Sequence, residues 1–523
     1  MEVTVKPQRL LGQGMLSIAN KIPDKPALVV EGKPITYGEL KDSALRLAGA
    51  LLRLNVKRGD RVAIYMDSTW PCIVSIYGAL LSGAVFLVIN PQTKKDKLRF
   101  ILEDSGATVL LTDAHLARSY LPAIKGLPGL KAVVSSGKLA EDLKGQEAPL
   151  AFDELLKDQD KLEEPVAVIP NDLAALIYTS GSTGFPKGVM QTHQAMVFAA
   201  WSIVEYLRLS SADRIMLMLP LAFDYGLYQL LMSMILGATL IVERSFIFPS
   251  LVYKRIEEQQ ATVFPGVPTI FATLIDNYKK SGLHFPSITR VTNTAAALPA
   301  DFLPHIQKIF PNALIFKMYG LTECKRVSYL EPERLSEKAD SVGKAIPGTE
   351  VFLLSPEGKV VPPGGQGILH VRGPHIMAGY WNRPEQSAYM LKPGKIPGER
   401  ILCTHDWFRM DEEGFLYFLG RSDDIIKTRG EKVSPKEVEN VLHGIPGLKE
   451  ATVLGIPDDS LGEAVCAFVV VDSESGLTEK KIKMVCNRYL ENFMVPQKVV
   501  FLDQMPLSAN GKVDKKILAT VEV

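Results

Sequence analysis

From Leu40 to Leu54 apolar side chains recur as Leu40, Ala44, Leu47, Ala48, Leu51 and Leu52. That is the period of a helix with one buried stripe. Arg61 to Met66 is a continuous apolar run and predicts a buried strand, Trp70 to Gly83 predicts a helix, and Ala84 to Ile89 predicts another strand. Val109 to Thr112, Ala132 to Ser135 and Ala174 to Tyr178 predict further short strands. Strands separated by helical patterns imply parallel sheets with helices on their faces. The pattern changes at Pro347 to Val371. Gly and Pro there punctuate short alternating runs at Val351 to Leu354 and Ile368 to Val371, which predicts a small antiparallel sheet or barrel. After Gly420 comes a charged turn. A helix at Pro435 to Leu442, strands at Glu450 to Gly455 and Ala464 to Val471, and a helix at Lys480 to Leu490 follow. This last stretch is long enough for a compact α+β domain. The expected fold is therefore α/β: a large N-terminal domain, residues 1–420, of parallel αβ sheets plus a small β-barrel-like part, then an α+β C-terminal domain, residues 421–523.

Composition narrows the class of protein. Apolar residues make up 47% of 523, enough for large cores, which excludes a mostly disordered chain. The 59 Lys and Arg balance 58 Asp and Glu, so there is no whole-protein basic footprint for nucleic acid or anionic lipid. Cys72, Cys324, Cys403, Cys466 and Cys486 are scattered without CxxC spacing, which argues against a disulfide framework or zinc site and fits a reducing cytoplasm. Met1 to Leu10 lacks the apolar core of a signal peptide. The apolar stretch Ile215 to Val242 is broken by Pro220, Asp224 and Gln229, so it reads as buried core and not as a membrane insertion.

The strongest local signal is Tyr178 to Gly188, YTSGSTGFPKG. It follows a strand-like run and precedes a helix-like one starting at His193. Small residues and glycines make a loop whose backbone N–H groups can surround phosphate oxygens. Thr179, Ser180, Ser182 and Thr183 add hydroxyls, Gly181 and Gly184 add close backbone approach, and Lys187 adds charge. It is not a Walker A loop, because Gly188 stands where Ser or Thr would follow the lysine.

This motif resembles the signature of the AMP-forming, adenylate-forming enzymes: acyl-CoA synthetases, luciferases and the adenylation domains of nonribosomal peptide synthetases. Other family motifs follow in order over nearly the whole chain. Tyr319 to Glu323, YGLTE, matches one in which the tyrosine lies beside adenine, the threonine contacts the α-phosphate and the glutamate helps hold Mg²⁺. The resemblance gives those roles to Tyr319, Thr322 and Glu323. His405-Asp406, before Trp407, stands where the Thr-Gly-Asp motif of the family has Gly-Asp, so Asp406 is expected at the ribose hydroxyls, with His405 in place of a glycine. Gly420-Arg421-Ser422-Asp423 matches the hinge, with Arg421 at ribose or phosphate and Asp423 as pivot. Gly430 matches the glycine that approaches the pantetheine arm, and Lys512, in PLSANGK, matches the catalytic lysine. The resemblance implies ATP and Mg²⁺ as cofactors, an acyl adenylate intermediate, and a mobile C-terminal domain that alternates the loops of Gly430 and Lys512 between two steps. An ammonium between the two reacting anions would offset their charge.

The acid and the thiol are read from fewer residues. Phe223-Asp224, with Tyr225, Tyr228 and Met318, forms the expected substrate pocket. Phe-Asp at this place resembles amino-acid-activating domains, where the carboxylate pairs with the substrate ammonium. A carboxylate in an apolar stretch needs some partner; a helix N-terminus or a protein cation would also serve. Asn90-Pro91 resembles the CoA ligases instead. Thr294 to Ala297 replaces a more usual Gly-rich turn, and Lys325-Arg326 after the YGLTE motif is uncommon. An acidic substrate group or a carrier's phosphate would suit those two cations, as would a solvated or ion-paired role. With no carrier domain after Lys512, a freestanding enzyme is expected. It would load an amino acid such as proline onto the phosphopantetheine of an acyl or peptidyl carrier protein. The alternative is an acyl- or aryl-CoA ligase that uses coenzyme A. The histidines show no metal-ligand spacing and read as structural or surface residues.

Overall fold

The computed structural model describes residues 8–138, 149–157, 161–179, 186–294, 298–421, 424, 426–428, 431–458, 461–490, 492–507 and 513–521, with backbone alone at 300, 427, 431, 432 and 462. The chain divides into two compact units. The first comprises residues 1–339, 345–350 and 371–402; the second comprises 340–344, 351–370 and 403–523.

Two largely parallel sheets build the first unit. One runs in the order Ser328–Leu330, Leu314–Tyr319, Arg290–Asn293, Val263–Gly266, Arg214–Leu217, Thr239–Val242, Pro26–Val30 and Lys33–Thr36. Ser328–Leu330 is antiparallel to Leu314–Tyr319, and Lys33–Thr36 to Pro26–Val30; the strands between are parallel. The other runs Gly379–Tyr380, Lys187–Thr192, Leu173–Thr179, Val85–Ile89, Arg61–Tyr65, Ala107–Asp113, Ala132–Ser136 and Leu150–Ala151. It is parallel from Leu173–Thr179 onward.

The helices form where periodicity and caps agree. Tyr37–Arg53 starts at Thr36, whose hydroxyl accepts the Glu39 N–H at 3.2 Å while the Glu39 carboxylate accepts the Thr36 N–H at 2.7 Å. This reciprocal cap satisfies two end groups at once. Its buried face includes Leu40, Ala44, Leu47, Ala48 and Leu51, the stripe read from the sequence. Helix Asp224–Leu236 is buried on every side, as expected of an apolar helix enclosed by its neighbours. It stops at Gly237, which takes φ +76°, a conformation glycine adopts without a steric penalty.

The helix expected from His193 is present as His193–Tyr206, and a strand not read from the sequence precedes it. Lys187–Thr192 runs antiparallel to Leu173–Thr179. Val189 and Gln191 of this strand are buried in the sheet. Thr192 caps the helix by accepting the Ala195 N–H at 3.1 Å.

In the second unit, strands Ile426–Thr428, Glu431–Val433, Leu448–Asp458, Gly462–Val471 and Lys498–Phe501 make one sheet. Val438 and Leu442 of helix Pro435–His443 and Ile482 and Cys486 of helix Glu479–Tyr489 pack with Val453, Val465, Ala467 and Val469. This is the α+β pattern expected after Gly420. Among the described residues no helix is long and apolar enough to cross a membrane.

Candidate active site

The YTSGSTGFPKG motif begins on one strand of an antiparallel pair and ends on the other. Thr179 and Lys187 face each other as cross-strand partners, and Tyr178 faces Gly188. A Cβ at Gly188 would lie 3.1 Å from the Tyr178 ring, so glycine lets the two strands close here. The Tyr178 hydroxyl donates to Asp104 at 2.8 Å, and Arg383 pairs with the other Asp104 oxygen at 2.7 Å. These contacts fix the hairpin's base. Ser180, Gly181, Ser182, Thr183 and Gly184 lie outside the described residues.

The second motif is placed beside this hairpin. Strand Leu314–Tyr319 leads into a turn, and the chain returns as Ser328–Leu330, with the Val327 N–H donating to the Tyr319 carbonyl at 3.0 Å. Gln191, on the strand that begins with Lys187, donates to the Thr322 carbonyl at 2.9 Å. The Tyr380 hydroxyl donates to Glu323 Oε1 at 2.5 Å, and Lys187 Nζ lies 5.4 Å from the centre of the Tyr380 ring. The Met377 N–H donates to the Glu323 carbonyl at 2.8 Å. A cation and a carboxylate therefore face opposite parts of one tyrosine at the end of the hairpin. The ring's negative face attracts the ammonium, and a charge-assisted hydrogen bond orients the carboxylate. Tyr380 was not singled out from the sequence; its only signal was a Gly-Tyr-Trp run in a stretch without other chemistry.

The expected ribose residue Asp406 lies in the second unit. It is buried on strand Arg400–Met410 and faces Arg421 of strand Leu416–Arg421, with Arg421 Nε 3.7 Å from Asp406 Oδ1. Its own N–H donates to the Thr404 hydroxyl at 3.1 Å. His405 sits at φ +57°, in the left-handed region. A glycine takes that conformation without the crowding a Cβ brings, which accounts for the family's glycine at this place. Asp423, Gly430 and Lys512 lie outside the described residues.

The acid-side residues give the clearest departure from expectation. Phe223 is the N-cap of helix Asp224–Leu236 and Asp224 its first residue, so Asp224 sits in the favourable field of a helix N-terminus without being the cap. It is 9% exposed, and its Oδ1 lies 3.7 Å from Nζ of the equally buried Lys325. The carboxylate already has a cation from its own chain. The premise that a substrate ammonium must neutralise it is not met. Lys325 Nζ also lies 4.7 Å from the Tyr228 ring centre and 5.5 Å from that of Tyr225. Burial lowers the Lys325 ammonium to about 7, against the opposing pull of Asp224 and with a further push from Arg326.

The backbone explains how two cations enter the interior. Lys325 takes φ +61°. A Cβ at Gly320 would stand 2.4 Å from the Lys325 carbonyl oxygen and 2.9 Å from Arg326 Cα, so only glycine lets the turn fold back this tightly. Arg326 is 2% exposed and donates from Nη1 to the Thr294 hydroxyl. Tyr225, Tyr228, Met232, Met318, Lys325 and Arg326 line a small cavity behind the turn. Tyr225 is fixed by its hydroxyl, which donates to the Thr292 carbonyl at 2.9 Å. Three of the residues singled out for the substrate, Tyr225, Tyr228 and Met318, thus share one cavity, and Phe223 stands apart from its lining.

His193, read as structural, accepts the Leu11 N–H on Nδ1 at 3.2 Å in a buried setting. Burial lowers its imidazole to about 4, which fits a neutral ring.

Residues 17–381 match the family model described as AMP-binding enzyme, and residues 437–512 match that of the AMP-binding enzyme C-terminal domain. A long-chain-fatty-acid–CoA ligase of Bacillus subtilis is 31% identical over 99% of this chain and 95% of its own length. Tyrocidine synthase 3 of Brevibacillus parabrevis is 30% identical over 95% of this chain, which spans only 7% of that protein. Among solved structures, o-succinylbenzoate CoA synthetase of Bacillus subtilis, in complex with its acyl-adenylate intermediate, aligns with a TM-score of 0.82. It is 28% identical and matches over 99% of both chains.

Proposed function

The chain belongs to the AMP-binding enzyme family, whose members are AMP-forming ligases that make acyl adenylates from ATP, and from that premise we propose that it activates a carboxylic acid and passes the acyl group to the thiol of coenzyme A. In the first step the substrate carboxylate attacks the α-phosphorus of ATP and pyrophosphate leaves. In the second the thiol attacks the acyl carbon and AMP leaves. The observation that carries this reading is the convergence of Lys187 and Glu323 on Tyr380 at the end of the phosphate hairpin.

Lys187 offsets phosphate charge there. Thr179 and the backbone of the hairpin receive the phosphate oxygens, with Ser180 to Gly184 as the loop between. Thr322 contacts the α-phosphate, and Tyr319 stacks beside adenine. The Glu323 carboxylate, held by Tyr380 through one oxygen, fits a role in holding Mg²⁺, which when bound neutralises the triphosphate. Asp406 accepts the ribose hydroxyls, since two carboxylate oxygens suit two hydroxyl donors, and Arg421 neighbours it. Lys512 offsets the charge as the carboxylate meets the α-phosphate, and the reactive mixed anhydride calls for exclusion of water. Asp423 acts as pivot and Gly430 admits the pantetheine arm, so the C-terminal domain changes its position between the two steps.

Coenzyme A is favoured as acceptor because the long relatives that match this chain from end to end are CoA ligases. The second reading, an amino acid such as proline loaded onto a carrier protein, is favoured by Phe223-Asp224 and by the tyrocidine synthase relative. The Lys325–Asp224 pair weighs against it, because an incoming ammonium would meet a second cation at the carboxylate. The test is mass spectrometry of products formed from ATP, Mg²⁺ and a broad panel of acids, with either coenzyme A or phosphopantetheinylated carrier protein. Acyl-CoA and AMP in equal amounts are expected. Acylated carrier protein with no acyl-CoA would transfer the assignment to the second reading, and ADP in place of AMP would end both.

A further inference from the structure

Resting on the reading of the chain as an adenylate-forming enzyme, we propose that Arg326 is the specificity-determining residue of the acid pocket and selects a short dicarboxylic acid. The distal carboxylate pairs with the guanidinium while the other carboxylate is activated.

The first argument is a charge count. Lys325 and Arg326 line the pocket, and Asp224 pairs with Lys325 at 3.7 Å. Asp224 neutralises Lys325, and among the described residues no carboxylate lies within ion-pair distance of Arg326. One buried positive charge is left over. Proteins rarely enclose an arginine without an anion, because stripping water from an ion is costly.

The second argument is the state of its donors. Arg326 presents a fork of N–H groups, yet its Nε has no hydrogen-bond partner although it is fully enclosed. The Nδ2 of Asn293, adjacent to Thr294, is another buried donor without a partner. Besides the adjacent cation Lys325, its neighbours include the Thr294 hydroxyl, the Tyr206 phenol and the Tyr225 ring 5.9 Å away, none of them an anion. A planar carboxylate matches the geometry of the fork and supplies the missing charge.

The third argument is location and size. Arg326 lies three residues after Glu323 in the same turn, and Met318, which lines the cavity, directly precedes Tyr319. Residues on either side of the Tyr319–Glu323 segment thus line the cavity, and two of them are cations. Its free volume of about 10 Å³ is room for about one water, so any acid enters only as the wall yields. Met232 and Met318 are the flexible side chains on its wall that can yield to a short substrate. An amine-bearing acid would meet like charge at both Lys325 and Arg326.

The test measures kcat/KM for acid-dependent AMP formation by the full chain with ATP, Mg²⁺ and coenzyme A. Malonic to adipic acids are compared with monocarboxylic acids of equal length, and proline, benzoic acid and palmitic acid complete the panel. The best dicarboxylate is expected to exceed its monocarboxylic partner by roughly 10²-fold or more, as sites built around a buried polar group reject analogues that lack its partner. Arg326→Met is expected to abolish that ratio and raise the rate with the monocarboxylate, and Arg326→Lys to restore part of the ratio. The wild-type ratio decides the matter even if Arg326→Met does not fold. Equal use of both acid types by the wild type would overturn the proposal, as would an unchanged ratio in a folded Arg326→Met. Failure of every acid to yield AMP would instead remove the underlying enzymatic reading, and the specificity proposal with it.

Discussion

The turn from Tyr319 to Arg326 has two ends that work in different ways. At its start, Thr322 and Glu323 are tied to the phosphate hairpin by hydrogen bonds from Gln191 and Tyr380. These contacts are polar and half-buried, with Glu323 bound by the Tyr380 hydroxyl and Lys187 near the Tyr380 ring. At its end, Lys325 and Arg326 are driven fully into the interior by a backbone that needs glycine at 320 and a left-handed residue at 325. One cation is neutralised there and the other is not. The difference teaches where generality and selectivity reside. On the proposed reading the start of the turn serves the nucleotide, which every enzyme with this reaction uses, and its end serves the acid, which differs from enzyme to enzyme.

Breaking the acid end should give the largest change in stability. Asp224→Ala leaves Lys325 buried without its carboxylate, and loss of one member of such a pair costs ~3–5 kcal/mol. Denaturant unfolding is expected to record that loss, and the double variant Asp224→Ala with Lys325→Met to recover most of it. A single variant as stable as the wild type would mean that the pair does not hold the pocket wall together.

The nucleotide end breaks in rate and not in folding. Lys512→Ala is expected to lower ATP–pyrophosphate exchange by about 10²–10³-fold, the usual effect of removing one charge-stabilising group from a reacting centre. Its melting temperature should stay close to that of the wild type. Full exchange in the variant would remove Lys512 from the mechanism.

Acid sharpens the contrast between the buried and the exposed parts of the first unit. His193 and His375 are both lowered from 6.5 to about 4, by burial first of all. The unfolded chain then binds more protons than the folded one between these values. Their stabilising contribution is fully present above pH 6.5 and is lost as pH falls towards 4, by about 3 kcal/mol for each imidazole. Equilibrium unfolding between pH 7 and pH 4 checks this, and His193→Gln should flatten its share of the slope.

Tyr380→Phe gives the smallest effect. It removes the hydrogen bond to Glu323 and keeps the ring beside Lys187. A hydrogen bond to a charged group contributes about 1.5–3 kcal/mol. The KM for Mg–ATP should therefore rise roughly tenfold or more, with little change in the KM for the acid. A change confined to the acid would place Tyr380 at the wrong end of the turn.

Much of the fold was legible because its signals are local. The stripe from Leu40 to Leu52 and the apolar runs at Arg61 and Ala84 need no knowledge of distant neighbours. The reaction class was legible for a related reason: phosphate chemistry needs particular residue types at fixed spacing, as in the Thr179 to Lys187 segment and at Tyr319 to Glu323. The strand Lys187–Thr192 was missed because it follows directly on a glycine-rich loop and runs directly into a helix, leaving no boundary of its own. Tyr380 was missed because its partner, Glu323, lies far away in sequence. The partner of Asp224 was open for the same reason, although a protein cation was among the readings weighed. Lys325 reaches it only because Gly320 admits a tight turn, and tertiary closeness of that kind has no local pattern. His405 is an opposite case: the sequence marked it as a departure, and its φ of +57° shows the conformation that the usual glycine would favour.

The central claim, attack of a carboxylate on the α-phosphorus, is most directly tested by isotope transfer. The acid with the highest activity is prepared with ¹⁸O in its carboxylate and turned over with ATP and coenzyme A, and the nucleotide product is weighed by mass spectrometry. One labelled oxygen in AMP and none in pyrophosphate is the predicted result, because the oxygen that bridges acyl carbon and phosphorus leaves with AMP when the thiol attacks. Label in inorganic phosphate or pyrophosphate, or unlabelled AMP during thioester formation, would contradict it.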